Sequence, residues 1–235
     1  MTTKKLFSQS RVLCIDTETT GLDDEARIIE FGFSIWENGE YLSRSSFFIH
    51  PGFEISEQVT EITGITNEDL EGQNSFVTLF PLINNILNDC DVWMFYNAPF
   101  DVKMLKREYD LLGKDLPEKP VIDVLVCFRK FERNHKGKKL VDAANRYSIP
   151  YISAHRADDD AEMTQKVFWR MLKIKPELRD EIEMTAKKQR KWAESQNNQL
   201  QNFFRFSRSK DPFIYPDLTV YERGLPKELF EEKKK

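Results

Sequence analysis

Arg11-Val12-Leu13-Cys14-Ile15-Asp16-Thr17-Glu18-Thr19-Thr20-Gly21 is the stretch on which the reading of this chain turns. Residues Arg11–Asp16 form a short apolar run of the kind that makes a buried strand. Side chains along a strand alternate faces, so Asp16 and Glu18 project to the same side. Two like charges at the end of a buried strand repel each other and lose solvation. A divalent cation between them removes both penalties. On its own, Asp-x-Glu is more often a strand-end loop with solvated acids.

Working outward, the turn-like Thr19-to-Ala26 stretch leads into Arg27–Glu37, then Asn38-Gly39, then Glu40–Ile49. Two β-rich runs joined at Asn-Gly predict a hairpin, so the first three elements are expected to be antiparallel neighbours. From Ser75 to Asn88, Phe76, Leu79, Phe80, Ile83, Ile86 and Leu87 recur at helical spacing. Asp91–Tyr96 reads as a second buried strand and Val121–Val124 as a short third one. Helices are expected from about Phe100, over Leu140–Tyr147 and over Ala157–Leu172. Strands first, then alternating strands and helices, predict an α/β fold: a mixed sheet flanked by helices. Near Lys175 the character changes. Pro176 opens a charged helical run to about Gln201, followed by a basic, aromatic stretch with two prolines. The expected organisation is a domain over 10–174 and a helical and irregular extension over 175–235.

Composition sets outer bounds. The chain has 235 residues, 40% of them hydrophobic and 12% aromatic, which supports a real core rather than a disordered segment. Its formal net charge of −4 leaves nucleic acid open as a partner, provided that a local basic patch or bound cations meet the phosphates. Cys14, Cys90 and Cys127 are far apart and form no C-x-x-C pair, so neither a disulfide framework nor a zinc cage is expected. No apolar run has the length of a signal peptide or a membrane span, and a cytoplasmic protein with reduced thiols and no membrane partner is the expectation.

Two further acidic stretches join the first. Asn97-Ala98-Pro99-Phe100-Asp101 follows the Asp91–Tyr96 strand, and Pro99 suits a helix start. Asp101 then lies in the first turn, where it could also simply complement the helix dipole. In His155-Arg156-Ala157-Asp158-Asp159-Asp160, helical phase separates the three acids. Asp160 shares a stripe with Met163, Val167, Phe168 and Met171 and so faces inward. Asp158 aligns with Glu162, Gln165 and Trp169, and Asp159 with Lys166 and Arg170. An inward carboxylate needs a partner, and a metal is a good one.

Taken together, Asp16-Thr17-Glu18-Thr19-Thr20-Gly21, Asn97–Asp101 and His155–Ala161 resemble, in order and spacing, the three motifs of the DEDDh (DnaQ-like) 3′–5′ exonucleases. That family includes the proofreading ε subunit of bacterial DNA polymerase III, ribonuclease T and oligoribonuclease. The resemblance covers roughly residues 10–173, with Leu140–Tyr147 similar to the helix before the third motif and Asp123 where the family often carries an Asp. Where proofreading members often have His-Gly-Ile, this chain has Thr63-Gly64-Ile65.

The resemblance implies an RNase H-like fold and two-metal phosphodiester hydrolysis with Mg²⁺ or Mn²⁺, two per active site. It implies that Asp16 bridges both ions, that Glu18 and Asp160 complete one site, and that Asp101 supports the other. His155 is then the general base, which its unperturbed pKa of about 6.5 suits. Thr19, Thr20, Gly21, Leu22, Ile65, Asn97 and Phe100 are the expected contacts to a single-stranded 3′ end. DNA is favoured over RNA, in proofreading, replication or repair, with release of nucleoside monophosphates. RNA 3′-end trimming, as by ribonuclease T or oligoribonuclease, is the alternative. A non-catalytic nucleic-acid-binding or polymerase-associated scaffold is the alternative of another class. Lys187, Lys188, Arg190, Lys191, Arg205, Arg208 and Lys210, interleaved with Trp192, Phe203, Phe204 and Phe206, suit a single strand, docking on a polymerase or other replication protein, or a packed helix with a solvated basic face.

Overall fold

The computed structural model describes residues 4–150, 156–207 and 217–230, with the side chains of 202–207 left aside. Strand β1 (Arg11–Thr19) pairs antiparallel with β2 (Ile28–Glu37), which pairs antiparallel with β3 (Glu40–Phe48). Asn38 and Gly39 make the β2–β3 turn with φ of 53° and 84°, the left-handed pair that a two-residue hairpin requires. After α1 (Glu57–Thr63), α2 (Asn67–Leu70) and α3 (Phe76–Asn88), strand β4 (Val92–Phe95) joins β1 in parallel. Helix α4 (Ala98–Leu111) then leads to β5 (Val121–Asp123), parallel to β4. The sheet order is β3-β2-β1-β4-β5, a mixed five-stranded sheet of the RNase H-like type. Helices α5 (Val124–Phe131), α6 (Leu140–Arg146), α7 (Ala157–Ile174) and α8 (Ile182–Ser207) complete the main framework. No helix among the described residues is long and apolar enough to cross a membrane.

Strand alternation sorts the core into two layers. Leu13 and Ile15 face one side with Phe31, Trp93, Phe95, Val102 and Leu105, beneath α3 and α4. Val12 and Cys14 face the other side with Met94, Ile122, Val167, Phe168 and Met171, beneath α7 and α5. A small third cluster of Ile29, Ile55, Val59, Ile65 and Leu70 lies under α1 and α2.

The structure moves several expected boundaries. β1 continues past Asp16 to Thr19 because β2 supplies ladder partners as far as Thr19↔Ile28, so Asp16 and Glu18 sit within a strand rather than on a loop. α4 begins at Ala98, two residues before the expected start. The strand expected over Val121–Val124 ends at Asp123, whose side chain caps α5. The charged run after Pro176 opens as a 3-10 turn (Pro176–Leu178), and α8 starts only at Ile182. The stripe carrying Asp158 packs against the sheet through its later members: Gln165 is buried and bonded to Val12 O and Ser34, and Trp169 stacks on Trp36. α7 lies across both β1 and β2, so it buries a wider arc than one apolar stripe.

Candidate active site

Even-numbered residues of β1 face α7, and that register carries Asp16 and Glu18 to the same side as the N-terminal turns of this helix. Gly32 on β2 pairs with Asp16 and lets α7 come close. A Cβ at Gly32 would stand 2.2 Å from Ala157 C, so only glycine permits this approach. Arg44 on β3 then sorts the three acids of α7: its guanidinium pairs with Asp158, Asp159 and Glu162. Asp160, on a different face of the helix, meets β1. Carboxylate oxygens of Asp16, Glu18 and Asp160 all lie within 4.8 Å of one another.

This crowding has an electrostatic signature. Burial, then the charges of Asp101, Asp160, Glu18 and Glu30, push Asp16 far above the ordinary carboxylate range. Burial, followed by Asp160 and Glu30, pushes Glu18 up to about 8. Among the described residues, no N–H or side-chain cation hydrogen-bonds to either acid. Closely grouped oxygen donors of like charge, held out of water, form a fit for a hard divalent cation, which would neutralise their repulsion.

Asp101 reaches the region from the opposite face of the sheet. Thr17, the residue of β1 that points that way, donates to Asp101 Oδ1 from its amide at 3.0 Å and from its hydroxyl at 2.8 Å. Burial raises Asp101 to about 7, against the lowering effect of these two bonds. Asp101 therefore stands beside the cluster and outside the group of three, braced by the residue between Asp16 and Glu18. His155 lies outside the described residues. The residues that follow it are tied down by Glu30, which is fully buried: Arg156 Nη2 donates to Glu30 Oε1 at 3.1 Å and the Ala157 amide donates to Oε2 at 3.3 Å.

The remaining candidates are placed unevenly. Leu22 is exposed over 78% of its surface and Asn97 is also exposed, in a left-handed conformation at the head of α4. Thr19 donates to Gly21 O and Thr20 Oγ1 accepts from the Arg27 amide, which fixes the loop after β1. Phe100 is half-buried against the core. Ile65 differs from expectation: only 2% of it is exposed, because it fills the small cluster under α1 and α2, so its side chain is not offered for stacking on a base. Thr17, Gly32 and Glu30 were not singled out by the sequence. The period of the strand held a signal for Thr17, which must face away from Asp16 and Glu18. Gly32, a lone glycine inside a strand pattern, is the usual mark of close backbone approach.

Comparison with known proteins agrees with this geometry. Residues 13–168 match the RNase T family model, described as Exonuclease. The chain is 32% identical over 165 residues to a PolC-type DNA polymerase III of Halalkalibacterium halodurans, covering 70% of this chain and 11% of that protein. It is 29% identical over 168 residues to the 3′–5′ exonuclease DinG of Bacillus subtilis, covering 71% of this chain and 18% of that one. The chain thus spans less than a fifth of the length of these curated relatives. Among solved structures, it resembles the nuclease domain of 3′hExo, a DEDDh family member bound to rAMP, with TM-score 0.63, 19% identity and coverage of 72% of this chain and 95% of that one. It also resembles E. coli exonuclease I in complex with a dT13 oligonucleotide, with TM-score 0.65, 18% identity and coverage of 72% and 42%. At these identities the structural likeness concerns the fold.

Proposed function

This chain belongs to the RNase T family of exonucleases, of the DEDDh type, and on that premise we propose that it removes nucleotides from single-stranded 3′ ends, DNA ahead of RNA, releasing nucleoside monophosphates. The observation that carries this reading is the trio Asp16, Glu18 and Asp160, whose carboxylates face one another across β1 and α7. DEDDh exonucleases use divalent metals. Mg²⁺ or Mn²⁺, two per site, fits this donor set because hard carboxylate oxygens prefer these ions to zinc. When bound, such ions supply a nucleophilic water at neutral pH and stabilise the leaving oxygen.

In this reading the residues divide the work. Asp16, Glu18 and Asp160 hold metal, and Asp101, braced by Thr17, supports the second position. His155 accepts the proton of the attacking water. Thr19, Thr20, Gly21, Leu22, Asn97 and Phe100 contact the terminal nucleotide, Leu22 offering an exposed apolar surface to a base. Ile65 acts from beneath, by supporting the Gly64 loop. Residues 10–174 form the nuclease domain and 175–235 an extension that can meet a polymerase or another replication protein, in a cytoplasmic setting. The preference for DNA rests on the similarity to PolC-type polymerases and to the exonuclease I complex with dT13. RNA trimming is the second reading, supported by likeness in fold to a 3′-exonuclease that recognises the 3′ end of a histone mRNA stem-loop. A scaffold without activity fits less well, since an acidic cluster with no metal to hold would only cost stability.

The test is hydrolysis of matched 3′-tailed DNA and RNA oligonucleotides with Mg²⁺, with Mn²⁺ and with chelator. Metal-dependent loss of mononucleotides from the DNA 3′ end is expected. Faster degradation of RNA would reverse the substrate order, and no hydrolysis of either would remove the enzyme reading. His155→Ala should lower the rate by about 10²–10⁴-fold, as loss of an acid–base group does, and a pH–rate profile identical to wild type would take His155 out of that role.

A further inference from the structure

Helix α4, which carries Asp101, lacks a cap of its own. Asn97 occupies the N-cap position with φ 80°, and its side chain makes no capping bond. The exposed amides at the head of a helix must nevertheless find acceptors. Asp123, at the end of β5, provides them: Asn97 N donates to Oδ1 at 3.1 Å and Ala98 N donates to Oδ2 at 3.1 Å. The same carboxylate caps α5 by accepting from Leu125 N at 2.9 Å and Val126 N at 3.3 Å. One buried acid thus fixes two helix starts, one of them three residues before Asp101.

Residues far along the chain hold this acid in place. Tyr221, with 2% of its surface exposed, donates its hydroxyl to Asp123 Oδ2 at 2.9 Å. From α8, Gln189 Oε1 accepts from Asp123 N at 2.7 Å, while Gln189 Nε2 donates to Val121 O at 3.1 Å. β5 is the outer strand of the sheet, so Gln189 occupies backbone groups that a further strand would otherwise take. The segment around Tyr221 is fastened independently. Arg223 donates to Leu116 O and Pro117 O, and Gly224, at φ 64°, passes so close to Lys119 that a Cβ would fall 2.5 Å from its carbonyl carbon.

We propose that Tyr221 is a positioning residue for Asp101: through Asp123 it sets the first turn of α4, so that the C-terminal extension is part of the metal site's support. The inference rests on the metal-dependent reading given above. It gives the extension a task distinct from binding substrate or a partner. Supports behind metal ligands matter because they fix the ligand's orientation before the ion arrives.

The experiment compares the full chain with Tyr221→Phe and Val220→Ala. Tyr221→Phe removes one oxygen and keeps the ring. Val220→Ala removes packing in the same segment and keeps the Tyr221–Asp123 hydrogen bond, since Val220 is a buried apolar residue of the core. Three quantities are read: Mn²⁺ affinity by calorimetry, the Mn²⁺ concentration for half-maximal hydrolysis, and the NMR signal of the Thr17 amide, which donates to Asp101. Tyr221→Phe should weaken Mn²⁺ binding and raise the half-maximal concentration roughly fivefold, the scale of one lost hydrogen bond. It should also shift the Thr17 amide, while the rate at saturating Mn²⁺ stays near wild type. Val220→Ala should lower thermal stability and leave all three readouts in place. Unchanged Mn²⁺ affinity and Thr17 signal in Tyr221→Phe would overturn the proposal, as would equal changes in Val220→Ala. Should the wild type hydrolyse nothing, the exonuclease reading fails, and the calorimetry and Thr17 signal still decide the positioning role.

Discussion

Glu108 and Asp123 are as deeply buried as Asp101, and burial raises Asp123 as it raises Asp16 and Glu18, yet the donors around the two groups differ. Arg27 grips Glu108 with two bonds, Nε to Oε1 at 2.8 Å and Nη2 to Oε2 at 2.9 Å, and the Ile28 amide adds a third. Asp123 accepts from four amides and the Tyr221 hydroxyl. In both places the protein meets the buried charge with its own donors, and the acid stabilises local geometry. Asp16 and Glu18 instead face Asp160, and their protons are held by mutual repulsion and burial. A fold that meets some buried acids with its own donors and crowds others together suits the cation that the proposed function assigns to the second group.

The contrast can be broken at several points. The largest effect is expected from Asp16→Ala, which takes the central member out of the crowded group. Hydrolysis should fall to background in an oligonucleotide assay, while thermal stability in chelator should rise, because one repelling buried acid is gone. A destabilised metal-free variant would show that Asp16 belongs with the satisfied acids. Next comes Gly32→Ala, which leaves every acid intact but forces the head of α7 away from β2. Displacing Asp160 in this way should cost roughly 100-fold in kcat, as misplacement by about 1 Å can do. Arg27→Ala works from the other side, by turning Glu108 into an acid without its cation. Because Arg27 is partly exposed, the loss should be about 2 kcal/mol, below that for a fully buried pair, read by denaturant unfolding. The metal requirement of that variant should equal the wild type's.

The smallest effect is the pH dependence of the intact protein. Glu18 at about 8 and Asp101 at about 7 both titrate above their unfolded values of about 4. A raised acid binds its proton more tightly in the folded state, so the contribution of Glu18 and Asp101 to metal-free stability is fully present only below the unfolded value. The part that these two acids contribute falls as pH rises and is gone above about 8. Cation binding needs the ionised acids, so the stabilisation by Mn²⁺ should grow across the same window. Thermal melts from about pH 5 to about pH 9, with chelator and with Mn²⁺, should diverge by a few degrees. Parallel curves would mean that the acids are not crowded in solution.

Much of the site was legible along the chain because its signals are local. The β1 register follows from a period of two, and it turned Asp16 and Glu18 to one side before any neighbour was known. Helical phase did the same for Asp160 among three adjacent acids. Asp101 was legible as a residue of the first helical turn, but its brace was not, since Thr17 and Asp101 are distant in sequence and meet only when β1 and α4 pack. Ile65 shows the opposite failure. An apolar residue next to a glycine reads equally well as a stacking surface or as a core anchor, and burial alone chose between them. The end of the chain was the least legible part. Its lysines and aromatics suited a partner surface or a packed helix alike; the side chains of Phe203, Phe204, Arg205, Phe206, Arg208 and Lys210 lie outside the described ones, and Gln189 and Tyr221, which join the extension to Asp123, are one uncharged amide and one hydroxyl with no pattern around them.

The sequence by itself determined the α/β architecture, the hairpin at Asn38-Gly39 and which acids point inward, because each depends on backbone geometry repeating over a few residues. Only the tertiary structure decided which acids are satisfied and which are crowded. That distinction depends on donors from distant segments, such as Arg27 for Glu108 and Tyr221 for Asp123, and a carboxylate's state in a low-dielectric interior is set by whatever lies within hydrogen-bond reach.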